Sequence, residues 1–301
     1  MTESPDPLSE VIGLLRPRTV FSKRISGAGR WAVRYSAYGE PSFCTVLEGG
    51  CRLMVDGHDP EITLEAGDFV LLPATPGFTM AGFEPATPVH IDPAVTPAPA
   101  DEVRHGTPGV EPDVRLLGGY FVFDSPDAGL LGSLFPTVVH VRGAERLSTV
   151  VHLVGDEASA QRSGRDLVLT RLVEVLLVEA LRSTPGQAAH PGLLRGLADE
   201  RIAPAIRDMH ADVARSWTVP QLARVAALSR SAFFDRFTRT VGLPPMEYLL
   251  TWRMALAKDL LRRHELALTE VADRVGYGSA SAFSAAFRRY VGQPPSHFAR
   301  A

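Results

Sequence analysis

Residues 229–248 read SRSAFFDRFTRTVGLPPMEY, and residues 279–298 read SASAFSAAFRRYVGQPPSHF. Ten of the twenty aligned positions are identical: Ser229/Ser279, Ser231/Ser281, Ala232/Ala282, Phe233/Phe283, Phe237/Phe287, Arg239/Arg289, Val241/Val291, Gly242/Gly292, Pro244/Pro294 and Pro245/Pro295. Two copies are too few for a solenoid, which needs about three or more stacked units, but they suffice for a paired device. In each copy the leading serine can accept from a free backbone N–H of the first helical turn. The two phenylalanines lie four apart on one face, with a valine one turn later. The glycine suits a left-handed stop, and Pro-Pro cannot continue the helix. The spacing therefore predicts two capped helices, each with one face turned inward.

Upstream of each copy lies a shorter amphipathic segment, TVPQLARVA (218–226) and LTEVADRV (268–275). A short helix, a tight turn and a second helix make the helix-turn-helix pattern. Two ordinary hairpins of an all-α core would also fit one copy; repetition of caps and stops together argues against that. Residues from about 202 to 301 resemble the DNA-binding domain of the AraC/XylS family of transcription regulators. The GYGSASAFSAAFRRYVGQPP stretch carries the resemblance most specifically. It implies two helix-turn-helix units, at 218–242 and 268–292, joined by a long helix that PPMEYLLTWRMALAKDLLRR (244–263) would supply. It also implies double-stranded DNA as the partner.

Charge agrees with that expectation. Residues 201–301 carry 15 Lys+Arg against 8 Asp+Glu, a balance of +7; residues 1–200 carry 16 against 26, a balance of −10. A near-neutral chain thus joins a basic C-terminal third to an acidic remainder. A basic domain gains affinity for phosphates by releasing counterions.

With the phenylalanines turned inward, Ser231, Phe234, Asp235 and Thr238 fall on the outward arc of the first copy, and Ser281, Ser284, Ala285 and Arg288 on that of the second. In the family these positions enter the major groove. The set is poor in donors, leaving apolar contact with a thymine methyl, or acceptance by Asp235 from a cytosine amino group. Asp235 could instead pair with Arg239 on its own helix. Arg230, Arg236, Arg239 and Arg289 are placed as phosphate clamps, and Arg288 for either task. Two adjacent grooves about one helical turn apart are expected to be occupied.

The remainder reads as strands followed by helices. RWAVRYSAY (30–38), FCTVLEG (43–49), CRLMVDG (51–57), EITLEAGDFVLLP (61–73), RLLGGYFVFD (115–124) and VVHVRG (138–143) alternate or run apolar between turn signals. Such spacing fits a barrel or sandwich. GDFVLLP, with FCTVLEGGCRLMVDG before it, resembles the cupin barrel found ahead of some AraC-type domains. Metal cupins carry His-x-His with a following Glu, and a later His. Here Cys44-Thr45-Val46-Leu47-Glu48 stands at the first place and Phe78 at the second. No metal, cofactor or enzymatic activity is therefore expected, though a closed barrel can still hold a small effector. The competing reading is a cupin-type enzyme, or a redox or metal sensor, carrying a DNA-binding module. It would use Cys44 and Cys51, expected on consecutive strands across Gly49-Gly50, or His90 and His105, expected on loops.

Two cysteines and no signal peptide suggest the cytoplasm, and no apolar run reaches the roughly 18 residues of a membrane span. Helices are expected over 146–161 and 165–183, the second with Leu169, Leu172, Val173, Leu176, Leu177 and Leu181 in a stripe that could serve a homodimer. Trp217 and Trp252 are expected in the C-terminal core. The expected fold class is α+β multidomain: a cupin-like effector or dimerisation domain (1–182), a linker (183–199) and an all-α double helix-turn-helix domain (200–301). The expected role is a sequence-specific regulator, activator or repressor, with RNA polymerase as a further partner.

Overall fold

The computed structural model describes residues 6–93, 102–123, 136–143, 145–160, 162–183 and 191–300. These divide into two compact units. One lies within 16–186; the other takes 187 onward together with an N-terminal helix, α1 (Pro7–Leu15), from inside the span expected to belong wholly to the sensor domain.

The first unit is a curled ten-stranded sheet. Its strands are β1 (Pro17–Ala28), β2 (Ala32–Tyr35), β3 (Ser42–Val55), β4 (His58–Glu65), β5 (Phe69–Leu72), β6 (Phe78–Ala81), β7 (Val89–Ile91), β8 (Glu102–Gly106), β9 (Val114–Phe123) and β10 (Val139–Val141). Neighbours run β7-β2-β6-β3-β9-β1-β8, with β4 and β5 also on β3 and β10 on β5.

The two segments expected as separate strands at 43–49 and 51–57 are one strand, β3. Gly49 turns the chain without ending it: its φ is +71°, and a Cβ there would lie 1.7 Å from the Asp113 carbonyl oxygen. Before this bend β3 pairs with β5 and β9; after it β3 pairs with β4 and β6. Conversely, the single run expected over 61–73 is split into β4 and β5. There Gly67 takes φ +88°, and Asp68 Oδ2 accepts from the Glu65 N–H at 3.1 Å.

Where the sheet is covered on both faces a strand reads as an unbroken apolar run, as β5 does with FVLL, all four buried. The inward face gathers Ile25, Trp31, Val33, Tyr35, Val46, Leu53, Val70 and Leu116. The other face is covered by α2 (Glu145–Ser159) and α3 (Arg165–Arg182). Gly155 of α2 sits so close over Leu117 that a Cβ would lie 3.1 Å from its Cδ2, and Thr45 Oγ1 meets Ser148 Oγ at 3.1 Å. Of the stripe on α3, Leu169, Val173, Leu176, Leu177 and Leu181 are buried and Leu172 is half-buried. Leu167, Val168 and Val175 are exposed.

The second unit comprises α1, α4 (Leu193–Ala198), α5 (Ala203–Ala211), α6 (Val219–Val225), α7 (Arg230–Val241), α8 (Pro245–Arg263), α9 (Leu268–Arg274), α10 (Ala280–Val291) and α11 (Pro295–Phe298). Helix α4 falls inside the segment expected to be linker. It is held there because Leu193 and Leu194 are buried and the Gly192 N–H donates to Thr240 O at 3.0 Å.

The internal repeat is geometric as well as literal. Ser229 and Ser279 cap α7 and α10, accepting from Ala232 N at 3.3 Å and Ala282 N at 3.2 Å. Gly242 and Gly292 end them at φ +88° and +87°. The Pro-Pro pairs then start α8 and α11, since proline at a first helical position gives up no bonded N–H. Rings Phe233–Phe237 and Phe283–Phe287 are each 5.5 Å apart, and all four are fully buried. Phe237 meets Tyr248 edge-on at 5.8 Å, as Phe287 meets Phe298 at 5.5 Å. The leading helices α6 and α9 are offset by 49 positions rather than 50, because the second turn holds one extra residue, Gly278, before its cap.

Candidate nucleic-acid interface and the inner face of the sheet

Each helix-turn-helix unit is fixed from within, which leaves its second helix rigidly presented. Thr218 caps α6 and exchanges bonds with Gln221. The chain reverses through a left-handed residue, Ala227 at φ +51° in the first unit and Gly276 at φ +79° in the second. The turn is closed by Leu228 N donating to Ala223 O at 2.9 Å, and by Tyr277 N donating to Ala272 O at 2.9 Å. Trp217 and Trp252 are buried, as expected. His210, whose side chain is fully buried, stacks on Trp252 with ring centroids 4.3 Å apart.

On the outer faces, Arg230, Ser231, Phe234, Asp235 and Arg239 of α7 are exposed, as are Ser281, Ala285, Arg288 and Arg289 of α10. Phe234 stands 42% exposed, unusual for a large apolar side chain on a helix whose opposite face is fully buried. Two residues expected on the outward arcs, Thr238 and Ser284, and one expected phosphate clamp, Arg236, sit differently. Thr238 is half-buried, and its Oγ1 has no hydrogen-bond partner among the described residues. Ser284 turns its hydroxyl onto its own helix, donating to Ala280 O at 2.7 Å. Arg236 is drawn inward to Asp199, Nε to Oδ2 at 2.9 Å. Burial raises the Asp199 carboxyl, but Arg236 and the N–H groups of Arg201 and Ile202 outweigh it, so the net shift is below the usual carboxylate range. Asp235 and Arg239 form no ion pair among the described residues.

The sheet carries several polar groups: Cys44, Cys51 and His105 on its inner face, and His90, opposite Arg34 of β2, on the other. Cys44 and Cys51 lie on the same strand, β3, rather than on consecutive strands, and both are free. Burial pushes the Cys51 thiol up to about 12; burial, with Cys51 and Asp68 nearby, raises Cys44 further. Thiols held protonated are poor nucleophiles. His90 and His105, expected on loops, sit on short strands: β7 pairs in parallel with β2 and β8 with β1. At three and five residues, with most of them exposed, β7 and β8 lack the apolar run that would mark a strand. His90 Nε2 meets Ser36 Oγ at 3.0 Å. At the positions compared with the cupin metal ligands, Glu48 pairs with Arg115 and Phe78 stacks on Tyr35 at 4.8 Å.

Sequence reading missed two groups here. Lys23 projects onto the inner face and lies over the Tyr35 ring at 5.8 Å, and Glu10 reaches His210. Neither belongs to a motif; only strand parity and long-range packing bring them to notice.

A cupin family model matches residues 6–184, and a helix-turn-helix domain model matches residues 222–301. Over 299 residues the chain is 39% identical to a Streptomyces lividans protein described as an AraC-like transcription regulator, covering 97% of each. A Streptomyces antibioticus protein of the same description is 38% identical, over 97% of this chain and 98% of its own. The transcriptional regulator AlkR of Acinetobacter baylyi is 33% identical over 56% of this chain and 57% of its own length. No described helix is long and apolar enough to cross a membrane. With a cupin domain ahead of a duplicated helix-turn-helix, the chain belongs to the family of AraC-like transcription regulators.

Proposed function

We propose that α7 and α10 enter adjacent major grooves of a promoter about one helical turn apart. Arg230, Arg239, Arg288 and Arg289 hold phosphates, while Ser231, Phe234, Asp235, Ser281 and Ala285 face base edges. Thr238 and Ser284 border that surface, and Arg236 orients α7 through Asp199. The observation that carries this reading is the matched geometry of the two units: the same cap, buried phenylalanine pair and glycine stop behind two exposed faces that both bear arginine. Readout by such short side chains rests on apolar contact and shape more than on bidentate hydrogen bonds.

In the same proposal the regulator works in the cytoplasm and is not an enzyme. The cupin domain takes a small effector; the sensor lies within residues 1–182 and the reader within 200–301, the reader's unit also taking in α1 and, from the connecting span 183–199, α4. A homodimer forms through α3, whose exposed Leu167, Val168 and Val175 support it. RNA polymerase is the downstream contact. Effector binding must favour one state of the regulator over another to change its output. Selection of bound sequences from a random duplex library tests the reading. An enriched motif with two elements spaced by about one helical turn supports it, and recovery of no motif overturns it.

A further inference from the structure

The joining helix α8 changes cores along its length. Tyr248 meets Phe237 of the first helix-turn-helix unit, whereas Met254, Ala257 and Leu261 pack with Val271, Phe283 and Phe287 of the second. Arg253 falls at the changeover and turns its half-buried guanidinium onto backbone. Its Nε donates to Val213 O at 2.9 Å and its Nη2 to Arg215 O at 2.7 Å. Both carbonyls belong to the loop that runs from α5 to the Thr218 cap of α6.

That loop is tied in two directions. Trp217 Nε1 donates to Asp212 O at 2.9 Å, and the Trp217 N–H to Arg215 O at 2.8 Å, so a carbonyl that Arg253 holds also sets the entry to α6. On the other side, the Ala214 carbonyl lies against Gly276, the reversal of the second unit. A Cβ on Gly276 would stand 2.5 Å from Ala214 O and 2.7 Å from Arg253 Nη2, so only glycine fits the approach. The next residue, Tyr277, meets Phe283 of α10 with ring centroids 5.7 Å apart. Burial raises its phenol against the pull of Arg253 and of Arg289 on α10, so the phenol senses both charges. A planar fork of donors placed on two carbonyls fixes their position as a flexible ammonium does not.

We infer that Arg253 is a positioning residue of the reader: it ties the entry loop of the first unit to α8 where the turn of the second also packs, and so sets the separation of α7 and α10. Without that bridge the two units are joined covalently by one helix, about which each can twist. The bridge adds a second route between them, through loop, guanidinium and turn. Two linked binding elements gain avidity only when both engage at once, and lose it where geometry forbids this. Arg253 thus acts on DNA through the two reading helices, holding them in register with successive grooves. The inference rests on the proposal that α7 and α10 occupy adjacent grooves, and it names the residue that fixes their spacing.

The test measures equilibrium binding of full-length protein to three duplexes: the two-element site selected from the random library, that site with two base pairs inserted between its elements, and that site with one element scrambled. Inserting two base pairs turns one element about 70° from the other. Wild type, Arg253→Met and Arg253→Lys are compared, and far-ultraviolet circular dichroism checks that each is folded. Wild type should lose about tenfold or more on the insertion. Arg253→Met should bind the intact site about tenfold more weakly, bind the scrambled site within about twofold of wild type, and tolerate the insertion with little further loss. Arg253→Lys, which keeps the charge without the fork, should fall between them. A merely structural role would weaken binding to all three duplexes alike. An insertion penalty in folded Arg253→Met equal to that of wild type overturns the inference, as does an equal loss on intact and scrambled sites. So does the absence of any insertion penalty in wild type, and failure of both variants to fold would make Arg253 a folding residue instead. Each of these leaves the regulator reading standing where wild type selects a two-element site; recovery of no such site sinks that reading as well.

Discussion

Glu10 Oε2 lies 2.6 Å from Nδ1 of His210, two hundred positions away in sequence. The bond makes α1 part of the C-terminal unit. In the neutral imidazole Nδ1–H donates to the carboxylate, leaving Nε2 to accept from the Tyr248 hydroxyl at 2.8 Å. Burial raises the Tyr248 phenol, and Glu10 raises it further, so it stays a donor at any working pH. His210→Ala removes a fully buried ring and unpairs both partners, and should cost about 3 kcal/mol. Glu10→Gln keeps a hydrogen-bond acceptor and should cost about 1 kcal/mol. Urea denaturation of the full chain followed by Trp fluorescence reads both, and equal small losses would show that the network is idle.

The two reversals of chain make opposite demands. Ala227 holds φ +51° with a side chain that disfavours it, so Ala227→Gly should stabilise by about 0.5–1 kcal/mol. Gly276→Ala meets the Ala214 carbonyl oxygen at 2.5 Å as well as a strained φ, and should destabilise by about 2 kcal/mol or more. Melting temperatures of the two variants should move in opposite directions; movement in the same direction would contradict the assignment of the turns.

His105 gives the sheet a pH dependence of definite sign. Its folded pKa lies below the ordinary 6.5, from burial first and Lys23 second. Between the two values the unfolded chain binds more protons than the folded one, so stability is lost as pH falls from 6.5 toward the folded value. His105→Phe keeps the stack on Trp31 and removes the titration. Denaturation midpoints measured from about pH 8 to about pH 5 should fall for wild type and flatten in that variant. Parallel profiles would show the ring to be solvated.

Arg236 and Arg239 lie three residues apart, with different neighbours. Arg239→Ala should weaken DNA binding about tenfold and lower the salt slope by about 1, leaving the melting temperature unchanged. Arg236→Ala leaves the Asp199 carboxylate, whose side chain is 14% exposed, without its cation, and should destabilise by about 1 kcal/mol. Equal salt-slope changes in the two variants would contradict the difference between them.

Much of this was legible in the sequence because it is local. Caps, stops and phenylalanine spacing specify α7 and α10 within a dozen residues each, and the duplication doubles the signal. The sheet was only partly legible. β1 reads PRTVFSKRISGA, whose charged and small residues hide its inner-face alternation, and β6 to β8 are too short to show a period. Gly49-Gly50 reads as a turn between two strands; the close approach of Gly49 to the Asp113 carbonyl, which no local pattern announces, makes it a bend within β3. Exposure of Ser231, Phe234 and Asp235 followed from helix geometry. The inward pull on Arg236 did not, because Asp199 lies 37 positions away. Glu10–His210 and Lys23–Tyr35 depend wholly on tertiary packing.

On the proposal above, both helix-turn-helix units hold DNA together. Footprinting of wild type, Arg239→Ala, Arg289→Ala and the double variant on the chain's own upstream region and a genomic fragment library tests it most directly. Protection across about two helical turns per protomer is expected, with each single variant losing protection over its own half and the double variant losing both. Protection confined to one turn, indifferent to Arg289→Ala, would contradict the paired arrangement.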